Sequence, residues 1–567
     1  MGAEVPVGRD VLRRVVTGQR RDVTLASLLA AGHQAGEALV PVLVGVVIDR
    51  AVAEDDGAAL ALWIGVLAVV YVGLSFSFRN GARLSERAAV VAAHELRTAL
   101  VARVLEPGGG AEAGRLPGAL TNLATEDAKR VGAVTVAVME AAAAFTALAV
   151  SAVALLWISV PLGLVVLLGT PLLLWLGHLL SKPLERRSEA EQERAAHASG
   201  VAADLVAGLR VLKGIGAESA ALARYRSTSR ASLGATLRAT RAQAGQNGMT
   251  LALTGVFLAL VALVGGRLAA QGDISLGGLV SAVGLALFLL GPLQVVGWVN
   301  AELAQGRASA ARIAEVLSAP PAVVPGPGAP ELPVRGRVRL RAVSYGGLRG
   351  LELDAAPGEL LGVVTTDPAD ALALLHCLGR VADPDAGSVE LDGTALATLD
   401  PALVRDVLLV AGHDADLFEG TLLSNVSASA PDPTDAGHLR RAMEAAGADE
   451  VADTLPYGAE TTVTERGRSL SGGQRQRVAL ARALAAEAPV LVLHDPTTAV
   501  DAVTEARVAG AVREFRRGRT TILVTASPAL LAVTDRVVLV DRGRVTDTAP
   551  HADLVRRHET YRTAVFA

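Results

Sequence analysis

The first 310 residues carry six apolar stretches long enough to cross a lipid bilayer, at about 23–49, 60–79, 133–156, 159–180, 248–270 and 275–298. In hydrocarbon every backbone N–H and C=O must find its partner inside the protein, so stretches of about 20 residues are expected to be helices. The charges beside them set an orientation. Arg9, Arg13, Arg14, Arg20 and Arg21 precede the first stretch, and the acidic "AVAEDDGAA" follows it. Arg79, Arg83 and Arg87 follow the second, and Lys182, Arg186 and Arg187 the fourth. The N- and C-termini are therefore expected to be cytoplasmic, with short outer loops. Residues 1–22 have neither the apolar run nor the small-residue site of a signal peptide, and "VGRDVLRRVV" reads as an amphipathic segment lying on the cytoplasmic membrane surface.

Two inner connections, about 80–132 and 181–247, are long, polar at helical spacing and poor in strand character. They read as helices that leave the membrane, turn near "EAGRLPGALTNLATEDAKRV" and "VLKGIGAESAALARY", and return. Four polar residues sit at membrane depth: His33, Gln34 and Glu37 in the first stretch and Glu140 in the third. Intramembrane ionisable side chains are costly, which makes them candidates for a substrate cavity. The alternative is that His33 and Glu37, one helical turn apart, satisfy each other against a neighbouring helix.

The Pro-rich "SAPPAVVPGPGAPELPVRG" at 318–336 separates this region, 1–317, from a second one, 337–567, and reads as a semi-rigid spacer. Beyond it "GELLGVV", "VLLVAG", "PVLVLHD", "TTILVT" and "DRVVLVD" alternate with helical stretches, the pattern of an α/β domain with a mainly parallel sheet. The mean hydropathy of +0.41 agrees with a chain that is half membrane helix. A net charge of −4 gives no reason to expect a nucleic-acid partner. The single cysteine, Cys377, excludes an internal disulfide and a thiolate metal cluster, and reads as a core residue.

Near the C-terminus the chain reads "LSGGQRQRVALARALAAEAPVLVLHDPTTAVD", residues 470–501. Six spans with long inner hairpins, followed by LSGGQ and a D-x-x-T-x-A-x-D-like segment, resemble an ABC half-transporter of the exporter fold. The resemblance covers essentially the whole chain. Ser471, Gly472, Gly473 and Gln474 would open a helix, whose first amides lack internal partners and carry the positive end of the dipole. Such a start can simply be a helix cap. The resemblance implies instead that it closes over the γ-phosphate of ATP held by another subunit. It also implies that Glu465, Arg466 and Gly467 face the membrane-domain hairpins and that Asp501 belongs to a dimer-contact loop.

Against that likeness stands an absence: after Lys213 the chain contains no lysine. The stretch "PGELLGVVTTDPADALALLHCLGRVADPDAGSVELDG" (357–393) keeps the ends of the family's phosphate-loop region at family spacing, but G-x-x-G-x-G-K-[ST]-[ST] has become Thr365 to Ala373. Pro368 has no N–H to offer, Ala371 stands at the lysine position and Leu372 at that of the Mg²⁺-binding hydroxyl. Asp367 and Asp370 point negative charge at a polyanion, about 4 kcal/mol of repulsion each at roughly 4 Å in an effective dielectric of about 20. His494 replaces the metal-linked aspartate, a poor exchange for a hard cation, and Asp495 replaces the water-polarising glutamate. The switch histidine aligns with Ala526 and the glutamine before "LFEGT" with His413. Tyr345, in a shortened loop, is a candidate remnant of an adenine-stacking aromatic.

Four catalytic parts are altered while the signature is intact, and random decay would not spare only the face shown to a partner. The resemblance therefore implies the non-catalytic half of a heterodimer whose partner, a consensus ABC half-transporter, holds ATP and Mg²⁺. The alternatives are a siderophore-type importer on the same fold, or a regulatory or sensor subunit with a pseudo-ATPase domain. High Ala and Arg with scarce Lys suggest a GC-rich bacterium and its inner membrane, with lipid as the other partner.

Overall fold

The computed structural model of the chain describes residues 7–413 and 416–566, with the side chains of 177, 178 and 180–189 outside the description. Lys182, Arg186 and Arg187, used above for orientation, are among those side chains. Two compact units result, one of residues 1–101 and 116–318 and one of 102–115 and 319–567.

The first unit is all helical. It comprises α1 (Gly8–Gly18), α2 (Arg20–Val47), α3 (Gly57–Val104), α4 (Pro117–Asn122), α5 (Ala128–Ile158), α6 (Val160–Ala207), α7 (Leu209–Gly214), α8 (Glu218–Gln271) and α9 (Leu276–Leu317). The amphipathic segment is α1, which buries Val11 and Val15. Both long connections are continuations of helices: α3 runs 48 residues and α8 54, about 70–80 Å at roughly 1.5 Å per residue. The turns fall at 105–116 and around Gly208 and Gly216, close to where they were expected.

Among the described residues four helices are long and apolar enough to cross a membrane, Gly57–Val104, Pro117–Ile158, Glu218–Gln271 and Leu276–Leu317. That count leaves the expected six unconfirmed. The first expected span lies in α2, whose apolar run is broken by His33, Gln34, Glu37 and Pro41. The fourth lies in α6, whose apolar stretch Val160–Leu176 runs up to the side chains outside the description. Helices α2 and α9 meet backbone to backbone at Gly45 and Gly277, where a Cβ on either would collide with the other's carbonyl oxygen. Small residues at helix crossings are how bundles gain close contact in lipid, where burial of apolar surface gives no net drive. The crossing is pinned by Asp49, which accepts from the Gly277 amide at 2.8 Å and the Ser275 hydroxyl at 2.6 Å.

The second unit is α/β. Strands β1 (Val338–Tyr345), β2 (Leu348–Ala355), β4 (Ala386–Leu391) and β5 (Thr394–Ala395) form an antiparallel sheet of order β2-β1-β4-β5. A six-stranded sheet of order β12-β11-β3-β10-β9-β6 is built from β3 (Leu360–Thr365), β6 (Leu408–Ala411), β9 (Val490–His494), β10 (Thr520–Val524), β11 (Arg536–Asp541) and β12 (Arg544–Ala549). All its pairings are parallel except β11 with β12, as the runs of Val and Leu predict for strands buried on both faces. The short β7 (Gly420–Thr421) and β8 (Thr462–Val463) pair beside a helical region of α12 (Leu422–Ser427), α13 (Ala436–Ala446) and α14 (Ala448–Asp453). The remaining helices are α10 (Pro368–Leu378), α11 (Pro401–Val407), α15 (Gly472–Ala485), α16 (Ala502–Phe515), α17 (Pro528–Ala532), α18 (His551–Arg557) and α19 (Glu559–Phe566). Cys377 is buried in the core between the two sheets, as expected, and burial pushes its thiol up to about 12.

The Pro-rich stretch is bound to this unit along its length. Gly326 and Gly328 donate to the Leu399 and Thr398 carbonyls at 3.0 Å each, and Asp400 donates back to Gly328 at 2.8 Å. Arg380, 1% exposed, holds the arrangement from inside: its guanidinium donates to the carbonyls of Leu399, Val324 and Ala397 and pairs with Asp383. The loop 105–115 joins the same unit through the Val323 amide on the Gly108 carbonyl, 3.1 Å, and through Arg103 on the Ala319 carbonyl, 2.7 Å. Arg380→Met would strand the buried Leu399 carbonyl, release those of Val324 and Ala397, and unpair Asp383. It should cost about 3 kcal/mol, or roughly 6–12 °C for a unit of this size, read by scanning calorimetry of the C-terminal transition. An unchanged transition would show that the stretch is not held through Arg380.

Candidate functional site

The nucleotide chemistry of such a domain depends on what stands at two helix starts. At the first, β3 ends at Thr365 and α10 begins at Pro368, so Thr366 and Asp367 alone join strand to helix. Thr366 is tied to β11, its amide donating to the Val540 carbonyl at 3.1 Å and its hydroxyl to Asp541 at 2.7 Å. Proline is pre-shaped for a first helical turn, and Asp367 is the N-cap, accepting from the Ala369 amide at 2.8 Å. The residues aligned with the glycines and lysine of the phosphate loop are thus mostly helix. Asp370, 3% exposed, turns inward to accept from the Gly543 amide at 2.9 Å, with Gly347 packed against its other oxygen. Burial pushes its carboxyl above the ordinary range, the Gly543 amide pulling the other way. Ala371, at the lysine position, is buried in the core, and Leu372, at the hydroxyl position, is exposed.

Leu372 lines a cavity of about 690 Å³ with Leu375, His376, Val381, His413, His494 and Asp495. The His413 and His494 rings meet edge to face at 5.9 Å, and His494 Nε2 lies 3.7 Å from Asp495. Asp495 has φ +46, a conformation aspartate tolerates better than most residues, and its amide donates to Val524 at 3.1 Å. Among the described residues no group of three or more His, Cys, Asp and Glu converges as a metal cage. With no glycine loop, no lysine and a carboxylate already capping the helix, these residues do not fit a Mg²⁺-nucleotide. Tyr345 ends β1 beside the two-residue turn Gly346–Gly347 and packs edge-on to His376 at 6.3 Å.

The second helix start is α15. Ser471 is its N-cap, and the cap is reciprocal: the Ser471 hydroxyl accepts from the Gln474 amide at 3.3 Å, and the Gln474 side chain accepts from the Ser471 amide at 2.9 Å. A Cβ on Gly473 would come within 2.5 Å of the Ala499 carbonyl oxygen, so internal packing alone demands glycine there. Gly472 opens on a cavity of about 480 Å³ whose cationic wall is Arg466, Arg468 and Arg475. Arg466 and Gly467 both take left-handed backbone, φ +56 and +66, within a turn closed by paired Thr464–Ser469 bonds of 3.1 and 3.3 Å. Gln474 faces its own cap; Glu465 and Asp501 are exposed outside this cavity, Asp501 capping α16 through the Thr504 amide at 3.0 Å. Those amide bonds hold the Asp501 carboxyl below the ordinary range.

Two residues escaped sequence reasoning. Gln476, nearly buried, accepts from the Ala499 amide at 2.8 Å and donates to the Thr498 hydroxyl at 2.7 Å, fixing the segment before Asp501 against α15. Glu505 accepts from Thr497 at 2.6 Å and from Ser527 at 2.8 Å, so it joins that segment to the loop bearing Ala526. Their signal was a polar residue on the inward face of an amphipathic helix, visible only once the helix is placed.

In the membrane unit the His33 ring lies 3.0 Å from the Leu74 carbonyl and 3.6 Å from Glu37. Glu37 and Glu140 nevertheless line one cavity of about 600 Å³ with Gln34.

Residues 23–293 match the family model described as the ABC transporter transmembrane region, and 348–498 that of the ABC transporter. The chain is 32% identical over 556 residues to a multidrug efflux ATP-binding/permease protein of Mycobacterium tuberculosis, covering 96% of this chain and 46% of that one. It is likewise 31% identical to the protein of that name from Mycobacterium bovis, so it spans about half the length of these relatives, 46% in each. With an ATP-dependent lipid A-core flippase of Thiobacillus denitrificans it shares 30% identity over 414 residues, 72% of this chain and 71% of that one. A bacterial Atm1-family ABC exporter, solved with ATP bound, superposes with a TM-score of 0.74 at 24% identity over 98% of both chains. The membrane-helical region and the C-terminal ATP-binding domain are those of an ABC exporter fold, and the chain belongs to the ABC transporter family.

Proposed function

We propose that the chain is the non-catalytic half of a heterodimeric ABC transporter that moves a small molecule, lipid or peptide across the bacterial inner membrane. The observation that carries this reading is the contrast between the two helix starts. One is capped by the chain's own carboxylate, Asp367, with Asp370 turned inward behind it, while the other has Ser471 as an exposed cap and presents Gly472 to a cavity lined by three arginines and Asp416. A second half would supply the phosphate loop, a glutamate and a switch histidine, and would hold ATP and Mg²⁺. Bound there, the nucleotide supplies a transferable γ-phosphate. Ser471 and the first amides of α15 would then bind its terminal oxygens, and Arg466, Arg468 and Arg475 would lower the cost of gathering that charge. The match to half of each mycobacterial efflux protein supports a unit completed by a second half. Glu465, Arg466 and Gly467 would couple closure to the membrane hairpins of a six-span domain. The names of the relatives support export over import.

Since Gly473 is dictated by internal packing, the glycine by itself does not separate this reading from a regulatory subunit. ATPase measurement does. The purified chain in lipid should be silent alone and active with a co-expressed consensus half-transporter, and Ser471→Arg should abolish the activity of the pair. Turnover by the chain alone would refute the composite site. Ala371→Lys should not restore nucleotide binding, measured with a fluorescent ATP analogue, because the new side chain starts inside the core and Pro368 still begins the helix. Asp370→Asn tests the inward-turned carboxyl behind that helix start. A carboxyl whose folded value is raised stabilises fully below its ordinary value and loses that contribution as pH rises through the raised one. The variant should therefore melt higher than the parent at about pH 8 and alike near pH 4; equal curves at both would show that the buried carboxylate is not a liability.

A further inference from the structure

We propose that the membrane cavity bounded by α2, α5 and α9 binds the cationic group of an amphipathic organic cation, a substrate class that rests on reading the chain as a transporter. The cavity, about 600 Å³, is lined by Gln34 and Glu37 from α2, Glu140 from α5, and Phe288, Gln294 and Trp298 from α9. Its polar equipment is rich in acceptors. Glu140 makes no hydrogen bond or salt bridge among the described residues, and the buried Gln34 Oε1 has no hydrogen-bond partner there. No lysine or arginine is among the lining residues of this cavity or of the smaller one beside it that shares Gln34 and Glu140. His33 is the single nearby counter-charge. Its Nδ1 faces the Leu74 carbonyl at 3.0 Å and so carries the proton, which leaves Nε2, 3.6 Å from Glu37, as an acceptor in the neutral ring. Protonation would let His33 neutralise one carboxylate and no more.

An anion entering this space would meet two carboxylates and an orphaned carbonyl. A neutral ligand would leave the charge of those carboxylates unanswered. A cation answers that charge, and Trp298 and Phe288 in the lining offer aromatic rings for cation–π attraction beside a wall otherwise fit for an apolar body. The positions follow from helix geometry: Gln34 and Glu37 are three residues apart on one face of α2, opposite the α5 face that carries Glu140.

The test compares two ions of one shape and opposite charge. Radiolabelled tetraphenylphosphonium and tetraphenylborate are dialysed against the full chain in dodecyl maltoside, whose neutral headgroup brings no competing ammonium. Saturable binding of the phosphonium is expected, weakened about tenfold or more in Glu37→Gln/Glu140→Gln, kept in Glu37→Asp/Glu140→Asp, and not matched by the borate. Retention by the aspartate pair shows that a loss in the glutamine pair is a loss of charge, not of fold. Borate binding as tight, or phosphonium binding absent or indifferent to the glutamines, overturns the proposal. No nucleotide is present, so failure of the composite ATP site leaves this result untouched. Conversely, a pair with Ser471-dependent ATPase and no cation binding refutes the substrate class alone.

Discussion

A helix start leaves its first amides without partners, and the fate of those amides organises the C-terminal unit. At α10 they are taken by Asp367, a residue of the chain itself. At α15 they are held lightly, by a serine and a glutamine that cap each other at the surface. A carboxylate of the chain and a phosphate from solution compete for the same dipole end, and the tethered group has no translational entropy left to lose. One end is capped by a carboxylate and the other by a neutral pair at the surface. The sheets, the caps and the arginine wall around Gly472 all keep that asymmetry in place.

Much of this was legible in the sequence, because the register of 357–393 runs without gaps and the chemistry of each replaced residue is local. Pro368 reads as a residue with no N–H to offer, and it begins α10. What the sequence could not disclose was direction. Asp370 reads as repulsion aimed at a phosphate, yet it turns away to the Gly543 amide, a contact between residues far apart in the chain. Tyr345 reads as a stacking ring and instead packs on His376. Gly473 reads as a glycine kept for a phosphate, while Ala499 already excludes a side chain there.

The membrane half shows the opposite balance. Its long helices were plain from apolar runs and polar continuations, while the count of six spans stays unconfirmed where polar residues interrupt an apolar run. Helix α2 is the clearest case, since His33, Gln34 and Glu37 lower its apolar character where it meets α5 and α9. The Pro-rich stretch misled in another way. Composition alone describes a spacer, whereas Arg380, buried in the core far along the chain, reaches back to hold Val324. Composition sets the stiffness of a free segment and says nothing about what fastens it.

Glu505 deserves a last consideration. Its one carboxylate oxygen is shared by Thr497 and Ser527, so the segment ending at Asp501 and the loop of Ala526 hang from a common anchor. In a domain that reads a γ-phosphate, that loop must report presence or absence of the ligand and therefore has to move on its own. Here Ala526 stands in that loop, and the Ser527 hydroxyl beside it ties the loop to the neighbouring segment through Glu505. Movement of either loop apart from the other has to break a bond to the shared carboxylate oxygen.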